Sequence, residues 1–197
     1  MKTLIFNGSP RRNGDTACLL REMKSVLAGE VMEVSAYYGG ISPCVDCRHC
    51  WKDDGCAIND GMQAVYRAME EYDNIVVASP LHFSELTGPL MSLAGRFQCL
   101  YAGKRFRGRP YGGKKKHGVL ILTGGGDGSP EPAVRWANRF FRFANAECVG
   151  SVLSLHTDDV PACRDEVAKA RARELAWELN APSPPTPPPS SGIIPLE

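Results

Sequence analysis

Four cysteines within thirteen residues, Cys44-x-x-Cys47-x-x-Cys50-x5-Cys56, are the densest concentration of reactive side chains in this 197-residue chain. Thiolates at so compact a spacing can wrap one soft metal centre, and three cysteines separated by two residues each are typical of a cubane [4Fe–4S] cluster. Zinc competes for the same donors, as four thiolates or as three with His49, although structural zinc sites usually draw on two separated cysteine pairs. Free or disulfide-forming thiols complete the alternatives, because clustered reduced cysteines are seldom inert.

A second kind of chemistry lies near the N-terminus. The apolar run Leu4 to Phe6 turns directly into Asn7, Gly8, Ser9, Pro10, Arg11, Arg12, Asn13, Gly14, Asp15 and Thr16, and a helical pattern begins at Ala17. A strand end, a glycine-bearing loop and a helix N-terminus together form a phosphate cradle, because the first-turn N–H groups are unpaired and carry partial positive charge. Ser9, Asn13 and Thr16 can donate neutral hydrogen bonds, and Arg11 or Arg12 can add a charge-assisted one. The spacing is neither G-x-G-x-x-G nor G-x-x-x-x-G-K-[ST], so ATP and the usual NAD-binding turn lose their support. The alternative is an ordinary strand-to-helix turn in which Asp15 caps the helix.

The elements that must position these residues follow from periodicity. Strands are expected at Lys2 to Phe6, Val31 to Ser35, Asn74 to Ser79, His117 to Thr123 and Cys148 to Leu155. Helices are expected at Thr16 to Leu27, Gly61 to Glu71 (capped by Asp60), Thr87 to Tyr101 with Pro89 in its first turn, Glu131 to Ala146, and Arg164 to Asn180. Regular alternation of strand and helix predicts an α/β fold, a doubly wound parallel sheet with helices on both faces, and five strands together with the chemistry of the loops favour the order 2-1-3-4-5 over a Rossmann sheet. Ligands in such sheets bind beyond the carboxyl ends of the strands where strand order reverses. The phosphate loop follows strand one, Ser79 to Arg96 follows strand three, and Thr123, Gly124, Gly125 and Gly126 follow strand four.

Lys and Arg number 23 against 22 Asp and Glu, so nothing in the global charge argues for nucleic acid or an anionic membrane as partner. No run approaches the roughly 18 apolar residues of a membrane span, and the N-terminus lacks the apolar core of an export signal; the expectation is a cytoplasmic protein. The organisation expected is one domain over residues 1–180, with residues 36–59 as a cysteine-rich insertion loop and residues 181–197 as a Pro-rich tail. Cys18, Cys99, Cys148 and Cys163 fall mostly on apolar faces and read as core packing. The basic stretch Lys104 to Lys116 reads as a solvated connector without helical period, with attraction of a nucleotide phosphate or an acidic partner as the alternative.

The order Gly8, Ser9, Pro10, Arg11, Asn13, Gly14, Thr16 after a first strand resembles the FMN phosphate loop of the flavodoxin-like NAD(P)H-dependent FMN reductases. Ser79, Pro80, Thr87, Gly88, Leu90, Met91 and Arg96 resemble that family's isoalloxazine-facing loop and the helix after it. The resemblance implies that Ser9, Arg11, Asn13, Gly14, Asp15 and Thr16 surround the FMN phosphate. It likewise implies that Pro80, Leu81, His82 and Phe83 meet the ring or ribityl chain, and that Thr123 with Gly124, Gly125 and Gly126 lines the other edge. Three positions depart from the pattern: Asp15 stands where Asn or Ser is usual, His82 where Tyr is usual, and Gly95 where Asp commonly precedes the arginine.

The cysteine stretch is similar to the cluster motif of iron–sulfur flavoproteins, a branch of the same group, and to a stretch of relatives that bind FMN without a cluster. The resemblance implies an FMN-dependent oxidoreductase that takes electrons from NAD(P)H and passes them to a small-molecule acceptor such as flavin or a quinone, assembled as a homodimer or homotetramer. Its alternatives are an iron–sulfur electron carrier, with Cys44, Cys47, Cys50 and Cys56 as ligands and a ferredoxin-like protein as partner, or a flavin- or metal-binding thiol sensor.

Overall fold

β1 (Lys2–Asn7) carries Leu4, Ile5 and Phe6 with no more than 1% exposure, so both faces of this strand are covered. The computed structural model describes residues 1–109 and 113–181. β2 (Glu30–Ser35), β3 (Asn74–Pro80), β4 (Lys116–Thr123) and β5 (Ala146–Ser154) complete one parallel sheet in the order β2-β1-β3-β4-β5, the flavodoxin-like arrangement. The register places Phe6 opposite Val77 and Val77 opposite Leu120, so side chains of one parity from the three central strands share a face. On that face Leu4, Phe6, Ile75, Val77, Leu120 and Leu122 pack with buried residues of α3 (Met62–Glu71), α4 (Gly88–Gly95) and α6 (Glu131–Phe143). On the other, Ile5, Val76, Ala78, Val119 and Ile121 pack with α1 (Asp15–Lys24) and α7 (Glu166–Leu179). Each such fully buried Leu, Ile or Phe contributes about 1.5–3 kcal/mol relative to exposure.

The helix expected over Thr87 to Tyr101 is divided in two. α4 stops at Gly95, the N–H groups of Arg96 and Phe97 bond three residues back to Leu93 and Ala94, and α5 (Gln98–Arg107) starts again. That tightened turn lets the Arg96 side chain drop to 1% exposure instead of following the helix surface. α5 also runs into the stretch read as a connector, because Cys99, Ala102 and Gly103 bury a short stripe; it ends where Gly108 takes φ +63°. A single turn, α2 (His49–Lys52), sits inside the cysteine loop and packs on α5, with the Trp51 and Phe106 rings stacked at 4.3 Å. Among the described residues no helix is long and apolar enough to cross a membrane. The expected Pro-rich tail lies, from residue 182 onward, outside the described residues.

Candidate functional site

The carboxyl ends of β1, β3 and β4 meet as the strand order requires, and their loops are pinned to one another by hydrogen bonds. Gly8 N–H donates to Ala78 O at 2.7 Å, Thr87 Oγ1 donates to Gly8 O at 2.8 Å, and Thr87 N–H donates to Ser79 Oγ at 3.2 Å. A Cβ at Gly8 would lie 2.8 Å from Leu90 Cδ2 and 3.0 Å from the Ser79 and Thr87 hydroxyls, so glycine is what lets the phosphate loop lie this close. Thr16 Oγ1 and Thr123 Oγ1, both 2% exposed, share a hydrogen bond of 2.8 Å that ties the start of α1 to the end of β4.

These contacts enclose a cavity of about 200 Å³ between the loops. It is lined by Ser9, Arg11, Gly14, Asp15, Thr16, Pro80, Leu81, His82, Thr123, Gly124 and Gly125 of the residues expected from sequence. Asn13, Phe83 and Gly126 are not brought to it and are exposed. Phe83 and Ser84 both have positive φ, +52° and +65°, in a tight turn closed by the His82–Glu85 bridge, and the Phe83 ring projects fully into solvent. A bulky residue in that region is strained, an arrangement that concentrates at functional sites. The Ser9 hydroxyl is half engaged by its own loop, donating to Arg11 O and accepting from Arg11 N–H at 3.2 Å each.

Asp15 does not cap α1. Its Oδ1 accepts the N–H of Ala162 at 2.8 Å, across the molecule in the loop between β5 and α7, and no side chain caps α1. The first-turn N–H groups of α1 therefore receive no side-chain cap, and one oxygen of the Asp15 carboxylate is engaged by the Ala162 N–H. That same β5–α7 loop adds Thr157 and Asp158 to the cavity, which sequence reasoning did not name. Their only signal was their place just past a strand's carboxyl end, on a strand away from the point of reversal. Gly125 leaves room for Asp158, whose carboxylate a Cβ there would strike.

The four clustered cysteines line a second cavity, of about 270 Å³, with Cys99, Trp51, Ile58, Ala102 and Phe106 among its walls. Cys44, Cys47, Cys50, Cys56 and Cys99 are all free thiols. The loop is anchored by Arg96, whose Nη1 donates to Asp60 Oδ2 at 2.7 Å and to Ser42 O at 2.8 Å, and whose Nη2 donates to Asp60 Oδ1 and to Cys56 Sγ at 3.4 Å. Asp60 in turn accepts the N–H groups of Ser42 and Met62. Burial pushes the Asp60 carboxyl up, but the Arg96 guanidinium and those two N–H groups outweigh it and hold it below its ordinary value. Burial pushes the Cys50 thiol up, and the Cys99 thiol up to about 11, so any metal centre here must displace thiol protons.

The donor set suits a sulfur-rich anionic centre in kind and number. The four clustered thiols and Cys99 share one largely apolar cavity, and Arg96, which also lines it, keeps a buried Nε without a partner. Among the described residues no three His, Cys, Asp or Glu side chains converge on one point, so the cysteine geometry does not choose between a cluster and zinc.

One sequence expectation is corrected here. Cys18 and Cys163 form a disulfide joining α1 to the loop before α7, with Cα atoms 5.6 Å apart, so core packing does not account for them. Their positions, 145 residues apart, carry no local signal of pairing. In the basic stretch Arg107 and Arg109 share Asp54, Lys114 pairs with Asp73, and Lys115 pairs with Glu147.

Known proteins with similar sequences point the same way. An iron–sulfur flavoprotein of Methanocaldococcus jannaschii is 28% identical over 153 residues, covering 76% of this chain and 76% of that protein. A second one from the same organism is 31% identical over 148 residues, covering 72% and 71%. Among solved structures, an FMN-dependent NADH-azoreductase from Bacillus anthracis in complex with FMN superposes with a TM-score of 0.60 at 15% identity, over 92% of this chain and 100% of that one, a likeness of fold. The family model for NADPH-dependent FMN reductase matches residues 1–160, four-fifths of the sequence, and the chain belongs to that family.

Proposed function

We propose that this flavoprotein is an FMN-dependent oxidoreductase that passes electrons from NAD(P)H to a small acceptor such as flavin or a quinone. The observation that carries the reading is the cavity walled by the loops after β1, β3 and β4, with an uncapped helix N-terminus at one end and the Pro80–His82 and Gly124–Gly125 backbones at the other. In this reading the first-turn N–H groups of α1, with Arg11 and Ser9, hold the FMN phosphate, and the Ser9 hydroxyl leaves its bonds within the loop to do so. Pro80, Leu81 and His82 with Gly124 and Gly125 bracket the isoalloxazine ring, the glycines letting backbone approach a planar group. The Thr16–Thr123 bond fixes the two ends relative to each other. Bound FMN supplies the hydride and electron chemistry, and the chain supplies orientation and exclusion of water. Purified protein titrated with FMN should bind one equivalent and then be reduced by NADPH or NADH. Failure to bind FMN overturns the reading.

A second reading rests on the thiol cavity and on the names of the similar iron–sulfur flavoproteins. In it Cys44, Cys47, Cys50 and Cys56 hold a [4Fe–4S] cluster, with Arg96 donating to its sulfur-rich surface, and the protein exchanges electrons with a ferredoxin-like partner. Iron and acid-labile sulfide in anaerobically purified protein, lost together on Cys47→Ser, would support it; absence of both would refute it.

A further inference from the structure

The start of α1 and the loop between β5 and α7 meet beside the cavity assigned to FMN, and a covalent bond crosses between them. Cys18 lies on α1 one turn after Asp15, and Cys163 directly follows Ala162. The disulfide and the Asp15–Ala162 hydrogen bond of 2.8 Å therefore join the same two segments side by side. Nearer β5 the loop is held by the Thr157 N–H, which donates to Gly124 O at 2.9 Å. Between these ties Asp158 sets its carboxylate against Gly125, and it lines the cavity together with Thr157. Asp15 and Thr16 line the same cavity, so the bond is anchored one turn inside the helix end assigned to the phosphate.

The two cysteines are not equally open. Cys18 is 6% exposed, whereas Cys163 is an exposed residue of the loop, so an approaching thiolate meets Cys163 first. The loop has little else to hold it. Of residues 156–164, Ala162 is buried, Thr157 is half-buried and the other seven are exposed. Segments with so few buried contacts open locally at small cost, which gives a covalent tie leverage over their position.

We propose that Cys163 is a thiol-exchange site, and that the state of the Cys18–Cys163 bond sets how tightly the chain holds FMN. The coupling to FMN rests on the flavin assignment above; the exchange site does not. The thiolate of a small thiol of the glutathione class attacks Cys163 Sγ, the bond between the two cysteines breaks, and Cys18 leaves as a thiolate that takes up a proton. A second small thiolate attacks the sulfur just added, the small-molecule disulfide departs, and the Cys163 thiolate takes up a proton. Two small thiols are thus oxidised as one protein disulfide is reduced. With the bond closed, α1 and the loop are held together and Thr157 and Asp158 stay at the cavity. With it open, the loop keeps the weaker Asp15–Ala162 and Thr157–Gly124 hydrogen bonds, and FMN binding has to re-order it.

Fluorescence titration of the full chain with FMN, disulfide-bonded and after dithiothreitol, beside Cys163→Ser under both conditions, tests the coupling. Reduction should weaken FMN binding by roughly tenfold, the cost of re-ordering about one residue, and Cys163→Ser should match the reduced chain under both conditions. A disulfide that acts only on the unfolded chain leaves the affinity of the folded protein where it was, so equal affinities in the two states would overturn the coupling. A loss on reduction that persists in Cys163→Ser would overturn it as well, by assigning the effect to the clustered thiols. Mass spectrometry of the disulfide-bonded chain incubated with glutathione should find the mixed disulfide on Cys163; an adduct on Cys18 alone, or none, would overturn the exchange site. Amide hydrogen exchange over residues 155–165 of the FMN-free chain should rise on reduction, and an unchanged rate would overturn the coupling. If the adduct and the faster exchange are found while neither form binds FMN, the flavin reading falls and the exchange site stands.

Discussion

Replacing Asp60 with asparagine removes one charge from beneath Arg96, and the structure sets the size of the effect. In the native protein the carboxylate accepts four hydrogen bonds, from Arg96 Nη1 and Nη2 and from the Ser42 and Met62 N–H groups. An asparagine presents one carbonyl and one amide, so one side of the group must point N–H donors at Arg96 or at the loop backbone. Arg96 is 1% exposed and cannot regain water, so D60N leaves a buried charge uncompensated, at a cost of about 3–5 kcal/mol. At this chain length each kcal/mol shifts the melting temperature by about 2–4 °C, so the expected loss is about 6–20 °C. Cys56 Sγ is held by the same arginine, so the thiols of the loop should also react faster with an aromatic disulfide reagent. The sign of the pH effect follows from the lowered carboxyl. Its contribution is complete above the ordinary carboxylate value of about 4 and is lost as pH falls through the folded value, so the gap between wild type and D60N should close in acid. A melting shift under about 2 °C, together with unchanged thiol reactivity, would refute the role given to this pair.

Gly8→Ala places a methyl 2.8 Å from Leu90 Cδ2, and should weaken FMN binding while lowering stability by about 1–3 kcal/mol, measured by flavin fluorescence and urea unfolding. Reducing the Cys18–Cys163 bond opens a closed loop of 145 residues and should lower the urea-unfolding free energy by about 2–5 kcal/mol; Cys163→Ala, unfolded without reductant, should reproduce the loss. Thr16→Val and Thr123→Val should each cost about 1–3 kcal/mol by stranding a buried hydroxyl, while the double variant should cost less than the sum.

The parts of this molecule that sequence made legible are those governed by local period. Leu4 to Phe6, Ile75 to Ala78 and Val119 to Leu122 are apolar without interruption because the sheet is covered on both faces, strand-helix alternation then makes the sheet parallel, and strand number with loop chemistry selects its order. The meeting of the loops after β1, β3 and β4 was legible for the same reason, since strand order decides which carboxyl ends meet. What was hidden depends on contacts between distant residues. Asp15 reaches Ala162, Cys18 reaches Cys163, and Asp158 enters the cavity, beside Thr157, where Gly125 leaves room for its carboxylate. The break between α4 and α5 was hidden too, because the burial of Arg96 against Asp60 outweighs the helical period on either side of it.

FMN titration of the wild-type chain beside Arg11→Ala, followed by quenching of flavin fluorescence, bears most directly on the site between β1, β3 and β4. One equivalent of FMN should bind to the wild type, and Arg11→Ala should bind more weakly by roughly tenfold or more, as expected for loss of a charge-assisted phosphate contact. Absence of FMN binding by the wild type, or equal affinity in the two proteins, would contradict the placement of the flavin phosphate at the start of α1.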